Sequence, residues 1–413
     1  MFPFFEILNL IVKTLSFVLV EPIYWAVIIV MAFQYRNLKN LERNTFNLNN
    51  FDLKKQIADS ILFGILGGFL GSIIMVFIGV TIQESGLLYV FILAVLLTMI
   101  NPRYMCFSYA GGILSLFSLI FGFPRIDVSS LMAIIGILHL IESFLIWLDG
   151  YRGRLPVFVE GRDGQIVAGF TMQRFWPIPI TVLVLGSMLV DQSSAVNMPN
   201  WWPLIKPYGI QNLDNVALLL MVAPAALGYA DVAITEMPKD RCRKSAALLS
   251  VYSILLIMIS VISSYVYVFK YVAAIFAPVV HELQIIIGQK REMEGKPLFV
   301  PPERGIMVLD VKNFSPAYEM GLTSGDVILS INGIPINDEE DLRRIFIDNF
   351  FNYVWLEVMD LKGRIRICEY RNFREGIRQL GILVVPKGFS EQDKVLIEFK
   401  SPLKLFRNLF KKS

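Results

Sequence analysis

Ser315-Pro316-Ala317, then Gly321-Leu322, Gly325-Asp326, and Asn332-Gly333 after the run Val327 to Ile331, decide how the C-terminal part of this chain folds. Serine followed by proline suits the start of a short helix, because proline is tolerated at the first helical position. Gly321 suits its end, where a left-handed residue costs little only for glycine. Gly325-Asp326 turns the chain into the strand Val327 to Ile331, and Asn332-Gly333 is the favoured dipeptide for the tight turn that follows. Asn337 with Glu340 three residues later predicts a capped helix running to about Asn349.

This order of signals resembles the PDZ domain, from Gly305 to Pro386 within a module bounded at 298–388. The resemblance implies a small α+β fold whose second helix forms one wall of a peptide groove, here through Leu342, Ile345 and Phe346. One departure concerns the carboxylate-binding loop, since no glycine-flanked apolar pair precedes the strand Gly305 to Val311. Leu380-Gly381-Ile382, followed by Leu383 and Val384, is the best candidate, at the far end of the module. A circular permutation, with the groove strand last in sequence, would explain that order, and an extended peptide would then add to a sheet edge. The plainer alternative is that Leu380 to Val385 is a closing core strand.

Upstream of this module the solvent changes. Of 413 residues, 55% are hydrophobic and 18% charged, and apolar runs recur near 4–20, 22–35, 59–82, 86–100, 106–122, 129–148, 177–191, 214–234 and 246–269, with a weaker one at 271–288. That is too apolar for a water-soluble globule and predicts an α-helical polytopic membrane bundle over 1–290, with about eight helical segments. Several runs are shorter than the roughly 20 residues that a crossing needs, so re-entrant or interfacial helices are expected among them. Glu21-Pro22 should break the first stretch, whose residues are expected to be retained rather than cleaved as a signal peptide. The formal charge of +3 and the lack of a nucleic-acid motif argue against a nucleic-acid partner.

Lys and Arg set the expected orientation. Arg36, Lys39, Arg43, Lys54 and Lys55 form one basic loop, Arg152, Arg154, Arg162 and Arg174 a second, and Lys239, Arg241, Arg243 and Lys244 a third, which places all three in the cytoplasm. Trp201, Trp202 and Tyr208 suit the outer surface. The side of the PDZ module turns on whether 271–288 returns through the membrane. The tail at 389–413, with Lys404, Arg407, Lys411 and Lys412 among Leu405, Phe406, Leu409 and Phe410, reads as a basic amphipathic helix for an anionic inner leaflet. Glu160-Gly161-Arg162-Asp163-Gly164 between two apolar runs predicts a hairpin near 155–170, as a connector or a contact surface.

Catalytic parts are hard to find. Cys106, Cys242 and Cys368 are scattered, with no zinc or disulfide spacing. Site-2-type membrane proteases also carry PDZ modules and use His-Glu-x-x-His with a distant Leu-Asp-Gly, and this chain offers His281-Glu282 and Leu148-Asp149-Gly150. Position 285, however, is Ile where the second imidazole is needed, and the motifs run in reverse order. No metal, cofactor or enzymatic activity is therefore expected, with a degenerate or unconventional protease of this type, or a PDZ regulator of one, as the alternative. His139 and Glu142 share a helix face and suit interhelical hydrogen bonding. His281 and Glu282 are candidates for coupling the membrane body to the PDZ module. Gly64, Gly67, Gly68 and Gly71 indicate close packing, within the bundle or between protomers of a homo-oligomer.

The order of parts resembles the MinJ family of polytopic PDZ proteins: Glu21-Pro22-Ile23-Tyr24-Trp25 at the first break, a multi-helix body, the junction His281-Glu282-Leu283 to Gly288-Gln289-Lys290-Arg291-Glu292, and a terminal PDZ module. That resemblance implies a scaffold for division-site selection at septa and poles. Its implied partners are a DivIVA-like polar coiled-coil protein and a MinD-like ATPase carrying the inhibitor MinC.

Overall fold

The computed structural model describes residues 2–46, 50–160, 166–186, 196–207, 217–348, 351–374 and 376–387. The expected tail at 389–413 and the turn Gly161-Arg162-Asp163-Gly164 lie outside the described residues. The membrane half comprises α1 (Phe4–Ser16), α2 (Pro22–Phe46), α3 (Leu53–Ile78), α4 (Leu87–Ile100), α5 (Phe107–Phe121), α6 (Val128–Asp149), β1 (Leu155–Glu160), β2 (Ile166–Gly186), β3 (Ala217–Ala233), α7 (Pro238–Tyr265) and α8 (Val268–Glu294). Among the described residues α3, α6, α7 and α8 are long and apolar enough to cross a membrane, and α1 with α2 would make a fifth span, bent by 67°. The bend falls at Glu21-Pro22, with proline opening α2, as the sequence predicts.

Two segments expected as helices, at 177–191 and 214–234, are strands wherever they are described. Pro177 and Pro179 stand two residues apart, and inside a helix each would remove a hydrogen bond and clash with the preceding turn. The β-branched Ile178, Ile180, Thr181 and Val182 around them favour a pleated strand. β2 and β3 pair antiparallel in unbroken register from Phe170↔Ala233 to Gly186↔Ala217, and β1 pairs with the start of β2. The small hairpin expected near 155–170 is thus the base of a much longer one.

In hydrocarbon, an unpaired backbone N–H or C=O costs several kcal/mol, so a strand edge at that depth gains from partners. Helix α3 closes the edge of β2 that β1 leaves free. Tyr35 Oη accepts from Phe175 N at 3.1 Å and donates to Phe175 O at 3.2 Å. Pro177 and Pro179 have no N–H to satisfy, and a Cβ on Gly64 or Gly68 would collide with Pro177 O or Pro179 O. Ser72 Oγ accepts from Thr181 N at 2.7 Å while donating to Gly68 O at 2.6 Å. Beyond the helix, Ile82 N donates to Leu183 O at 3.0 Å, and Gln83 Oε1 takes Leu185 N at 2.6 Å. Gly67 and Gly71 face the other way, against Ile141 and Leu145 of α6. The glycine pattern therefore joins a helix to a strand on one side and to a helix on the other.

Helix α6 is the central element, with 72% of its apolar window buried. Its Ile137, Ile141 and Leu145 pack with Trp176, Ile178, Ile180 and Val182 of β2. Serine pairs tie it to α7: Ser250 Oγ to Ser143 Oγ at 2.8 Å, and Ser263 Oγ to Ser129 Oγ at 2.8 Å. At its C-terminal end, fully buried Asp149 accepts from Arg174 Nε at 2.8 Å and from Trp176 Nε1 at 2.9 Å. Arg174, expected as a cytoplasmic loop cation, is a buried strand residue held by that carboxylate.

Helices α4 and α5 have 14 and 15 residues. At the α-helical rise each is about 20 Å long, short of the roughly 30 Å hydrocarbon core. They form a helical hairpin that clusters with the start of α6 through Val90, Ala94, Ala110, Val128 and Leu131. The 3-10 turn Pro102–Met105 at its tip meets the middle of α6, where Cys106 Sγ lies 3.1 Å from His139 Nε2.

The C-terminal module comprises β4 (Ile306–Val311), α9 (Pro316–Glu319), β5 (Val327–Ile331), β6 (Ile334–Pro335), α10 (Glu339–Asp348), β7 (Tyr353–Met359), β8 (Ile365–Arg371) and β9 (Ile382–Val384). The sheet order is β8-β7-β5-β4-β9, with β6 on β5. Ser315 caps α9 and Gly321, at φ 73°, ends that turn, as expected. The cap of α10 falls one residue later than the sequence suggests: Asp338 Oδ1 accepts from Asp341 N at 2.8 Å, while Asn337 Oδ1 accepts from Gly305 N at 3.3 Å.

The module is docked on the membrane half. Ile306, Val308 and Ile328 fill the module's own core, and Met307, Leu309, Val327 and Val385, on the opposite sheet face, join the core of β2 and α6. Asn50 clasps the end of β4, donating from Nδ2 to Val311 O and accepting from Asn313 N, both at 2.8 Å. Arg154 lies 3.8 Å from Asp310, whose carboxyl burial pushes up and the guanidinium pulls back down. Phe299, fully buried, bridges to Ala168.

Four outcomes follow from these contacts. Gly68→Val should destabilise the protein by about 3 kcal/mol or more, seen as a lower midpoint of thermal unfolding in detergent. Leu62→Ala, on the exposed face of α3, should leave that midpoint nearly unchanged. Arg174→Met should cost about 3–5 kcal/mol by stranding Asp149, and the double change Arg174→Met with Asp149→Leu should recover most of it. Leu309→Asp should release the module without unfolding it, so limited proteolysis of the full chain in nanodiscs should cut faster between residues 295 and 305 and leave the module intact.

Candidate functional site

The last strand of the chain takes the outer place beside the first strand of the module, which is the order a circular permutation requires. β9 pairs antiparallel with β4, Ile382 opposite Val311 and Leu383 opposite Asp310. Lys312 N donates to Gly381 O at 2.8 Å and Val385 N donates to Met307 O at 2.9 Å, so residues 381 and 385 turn their main chain toward β4. Antiparallel strands alternate, which turns the N–H and C=O of Ile382 and Val384 to the outer edge. Among the described strands, β9 pairs only with β4.

The loop before β9 is held in shape. Gly381 adopts φ 77°, and a Cβ there would collide with Ser315 Cβ, so glycine is needed on both counts. Ala317 N donates to Leu380 O at 3.0 Å, and the Leu380 side chain is buried in the module core. These bonds fix the backbone that leads into the free edge.

The candidate groove residues divide between two faces. Ile382 and Val384 pack on the α10 side together with Leu342, Ile345 and Phe346. Ile345 is a core residue, whereas Leu342 and Phe346 are half-buried, Phe346 edge-on to Phe351 at 5.8 Å. Leu383 lies on the opposite face, against the membrane half. The groove walls are therefore the outer edge of β9 and the Leu342–Phe346 side of α10.

His281 and Glu282 lie elsewhere. They sit midway along α8, just after Pro278 in the helix interior, and face the tip of the helical hairpin. Glu282 pairs with Arg103 and accepts from Tyr109 Oη at 2.5 Å. The His281 ring packs edge-on to Tyr109, His139 and Tyr252 at 5.4, 5.2 and 5.7 Å. Cys106, His139 and His281 bring their donor atoms within 4.8 Å of one another. Sequence reasoning missed Cys106, Arg103 and Tyr109; the polar Asn101-Pro102-Arg103 between two short apolar runs was the available signal.

A second omission is the docking face of the module. The uninterrupted run Ile306-Met307-Val308-Leu309 carries it, because a strand with only one buried face would alternate with polar residues.

The PDZ domain family model matches residues 286–349, ending at α10, before the strands that close the module. Along its length the chain is similar to "Cell division topological determinant MinJ" of Bacillus subtilis (strain 168), 24% identical over 392 residues that make up 90% of this chain and 94% of that protein. It is also similar to "Probable cell division topological determinant MinJ" of Lacticaseibacillus paracasei, 24% identical over 208 residues, 48% of this chain and 56% of the relative. A membrane body of apolar helices, a terminal PDZ domain and likeness to MinJ across nine-tenths of its length make this a MinJ-like protein.

Proposed function

We propose that this protein is a membrane scaffold of division-site selection, enriched at septa and poles, that holds partners through the groove between β9 and α10. The observation that carries the reading is the free edge of β9, with Ile382 and Val384 turned outward beside Leu342 and Phe346 on α10. An extended segment of a partner can extend the sheet there, main chain to main chain, while the helix side selects its side chains. The partners would be a DivIVA-like polar coiled-coil protein and a MinD-like ATPase, which the scaffold would bridge. A non-enzymatic role fits the pairing of Asp149 Oδ2 with Arg174 and Trp176.

The cytoplasm is the side this reading requires. Asn50, Arg154 and Glu292, from or beside the three basic loops, all lie at the end of the body that carries the PDZ domain. The excess of Lys and Arg in those loops supports a cytoplasmic placement of that end, and a basic tail at 389–413 would meet the anionic leaflet on the same side. His281 and Glu282, by fixing α8 in the body, would couple body and module through a single helix.

The test is imaging of a fluorescent fusion in its dividing host, beside a deletion strain. The wild-type fusion should concentrate at septa and poles and restore normal division. Leu342→Glu, at unchanged protein level, should weaken partner capture by roughly tenfold or more, spread the signal evenly round the membrane and leave minicells and filaments uncorrected. Arg343→Ala, on the exposed side of α10, should behave as wild type. An evenly spread wild-type fusion with normal division in the deletion strain sinks the reading.

A further inference from the structure

We infer that Cys106, His139 and His281 form an intramembrane site for a thiophilic transition-metal ion, Zn2+ foremost. The chain has only two histidines and three cysteines, and both histidines meet one cysteine from three different elements: the tip of the helical hairpin, α6 and α8. Cys106 Sγ lies 3.1 Å from His139 Nε2 and 3.6 Å from His281 Nε2. A tetrahedral zinc ion with bonds of about 2.3 Å to sulfur and about 2.05 Å to nitrogen sets its sulfur and nitrogen ligands about 3.5 Å apart. The separations suit one ion between all three donors.

The imidazole tautomers are compatible with an ion. His139 Nδ1 lies 2.8 Å from Ile135 O. A carbonyl can only accept, so the ring proton sits on Nδ1 and the Nε2 lone pair faces Cys106. A second imidazole, His281, also turns Nε2 to that sulfur, and Ser108 Oγ lies 3.3 Å from His139 Nε2; without an ion, His281 Nε2–H donates to the sulfur and the thiol donates to His139. His281 Nδ1 is buried without a hydrogen-bond partner among the described residues. Deprotonated sulfur and two neutral imidazoles around a divalent cation satisfy all three inward-facing atoms at once. A carbonyl behind the imidazole is also the usual outer support of a metal-bound histidine, fixing its tautomer.

Charge and softness narrow the ion. A thiolate with two imidazoles selects zinc or another thiophilic metal over Mg2+ or Ca2+. One thiolate leaves a divalent ion with a single excess positive charge, and Glu142, one turn after His139 on α6, is a carboxyl on the same helix face. Arg103 is paired with Glu282, so it adds no net charge to the site. With three protein ligands the fourth position of the ion remains for water. Such an ion would pin the hairpin tip and α6 to the helix that leads into the PDZ domain. The set differs from the His-Glu-x-x-His arrangement, since its histidines come from two helices and Ile285 stands one turn after His281.

The test uses the full chain with a histidine-free affinity tag, stripped with a chelator and titrated with Zn2+ or Co2+. Wild type should take up one Zn2+ per chain by elemental analysis, and the Co2+ form should show a near-ultraviolet thiolate-to-metal charge-transfer band. Cys106→Ser should abolish that band, the double variant Cys242→Ser with Cys368→Ser should keep it, and His281→Gln should weaken binding by more than the about 10–100-fold that loss of an outer partner costs. Wild type that binds neither ion, a Co2+ form without the thiolate band, or a band kept in Cys106→Ser would overturn the proposal. The wild-type spectrum decides even if Cys106→Ser fails to fold.

Discussion

The membrane half depends on closing one edge of β2. A strand at lipid depth gains when something other than water takes its outward groups, and here a helix does so in place of a second strand. The match is geometric. Every fourth residue of a helix advances about 6.0 Å, and every second residue of a strand about 6.6 Å. Gly64, Gly68 and Ser72 therefore step in near register with Pro177, Pro179 and Thr181. The helix falls about 0.6 Å behind at each step, and the row ends after three contacts. From there Thr81, Ile82 and Gln83, beyond the end of α3, take over Leu183 and Leu185. Prolines at the two closest approaches remove the donors that a helix surface could not have satisfied.

The edge of β9 presents the opposite case. Facing water rather than lipid, its outward N–H and C=O groups can stay hydrated until a peptide replaces the solvent, which makes an exposed edge both an aggregation hazard and a recognition site. The module limits that hazard by keeping the strand to Ile382–Val384 and by burying the sheet's other face on the membrane half. Of the sheet's two outer strands, β8 and β9, the β9 edge is the shorter.

How much of this was legible in the sequence follows the range of the interactions. The PDZ module was readable because its signals are local turn chemistry: Ser315-Pro316, Gly321, Asn332-Gly333. The break at Pro22 and the shortness of α4 and α5 were readable for the same reason. The strands β2 and β3 were not, since hydrophobicity alone does not separate a buried strand from a helix, and the decisive hint was the two-residue spacing of Pro177 and Pro179. The glycines of α3 announced close packing but could not name a strand as its object. The Cys106, His139 and His281 cluster was illegible because its members are far apart along the chain and sit on three elements, where no spacing rule applies. Leu383 was assigned to the groove by its neighbours, yet strand alternation sends it to the other face.

Rigidity ties the two halves into one device. Helix α8 is held at its middle by His281 and Glu282, and at its end by Glu292, which accepts from Ile234 N at 2.8 Å and from Thr235 N at 2.9 Å and pairs with Arg241. Only the short segment 295–305 separates α8 from β4, and within it Leu298 and Phe299 are themselves bonded to Ile234 and Ala168. The groove is therefore held against the membrane half by packing and hydrogen bonds rather than on a free tether. A partner that is also membrane-bound then meets it with less orientational freedom left to lose, so modest peptide contacts suffice for a stable complex. Under the proposed role, a scaffold that brings two membrane-associated partners together would gain more from that held geometry than from a tighter groove.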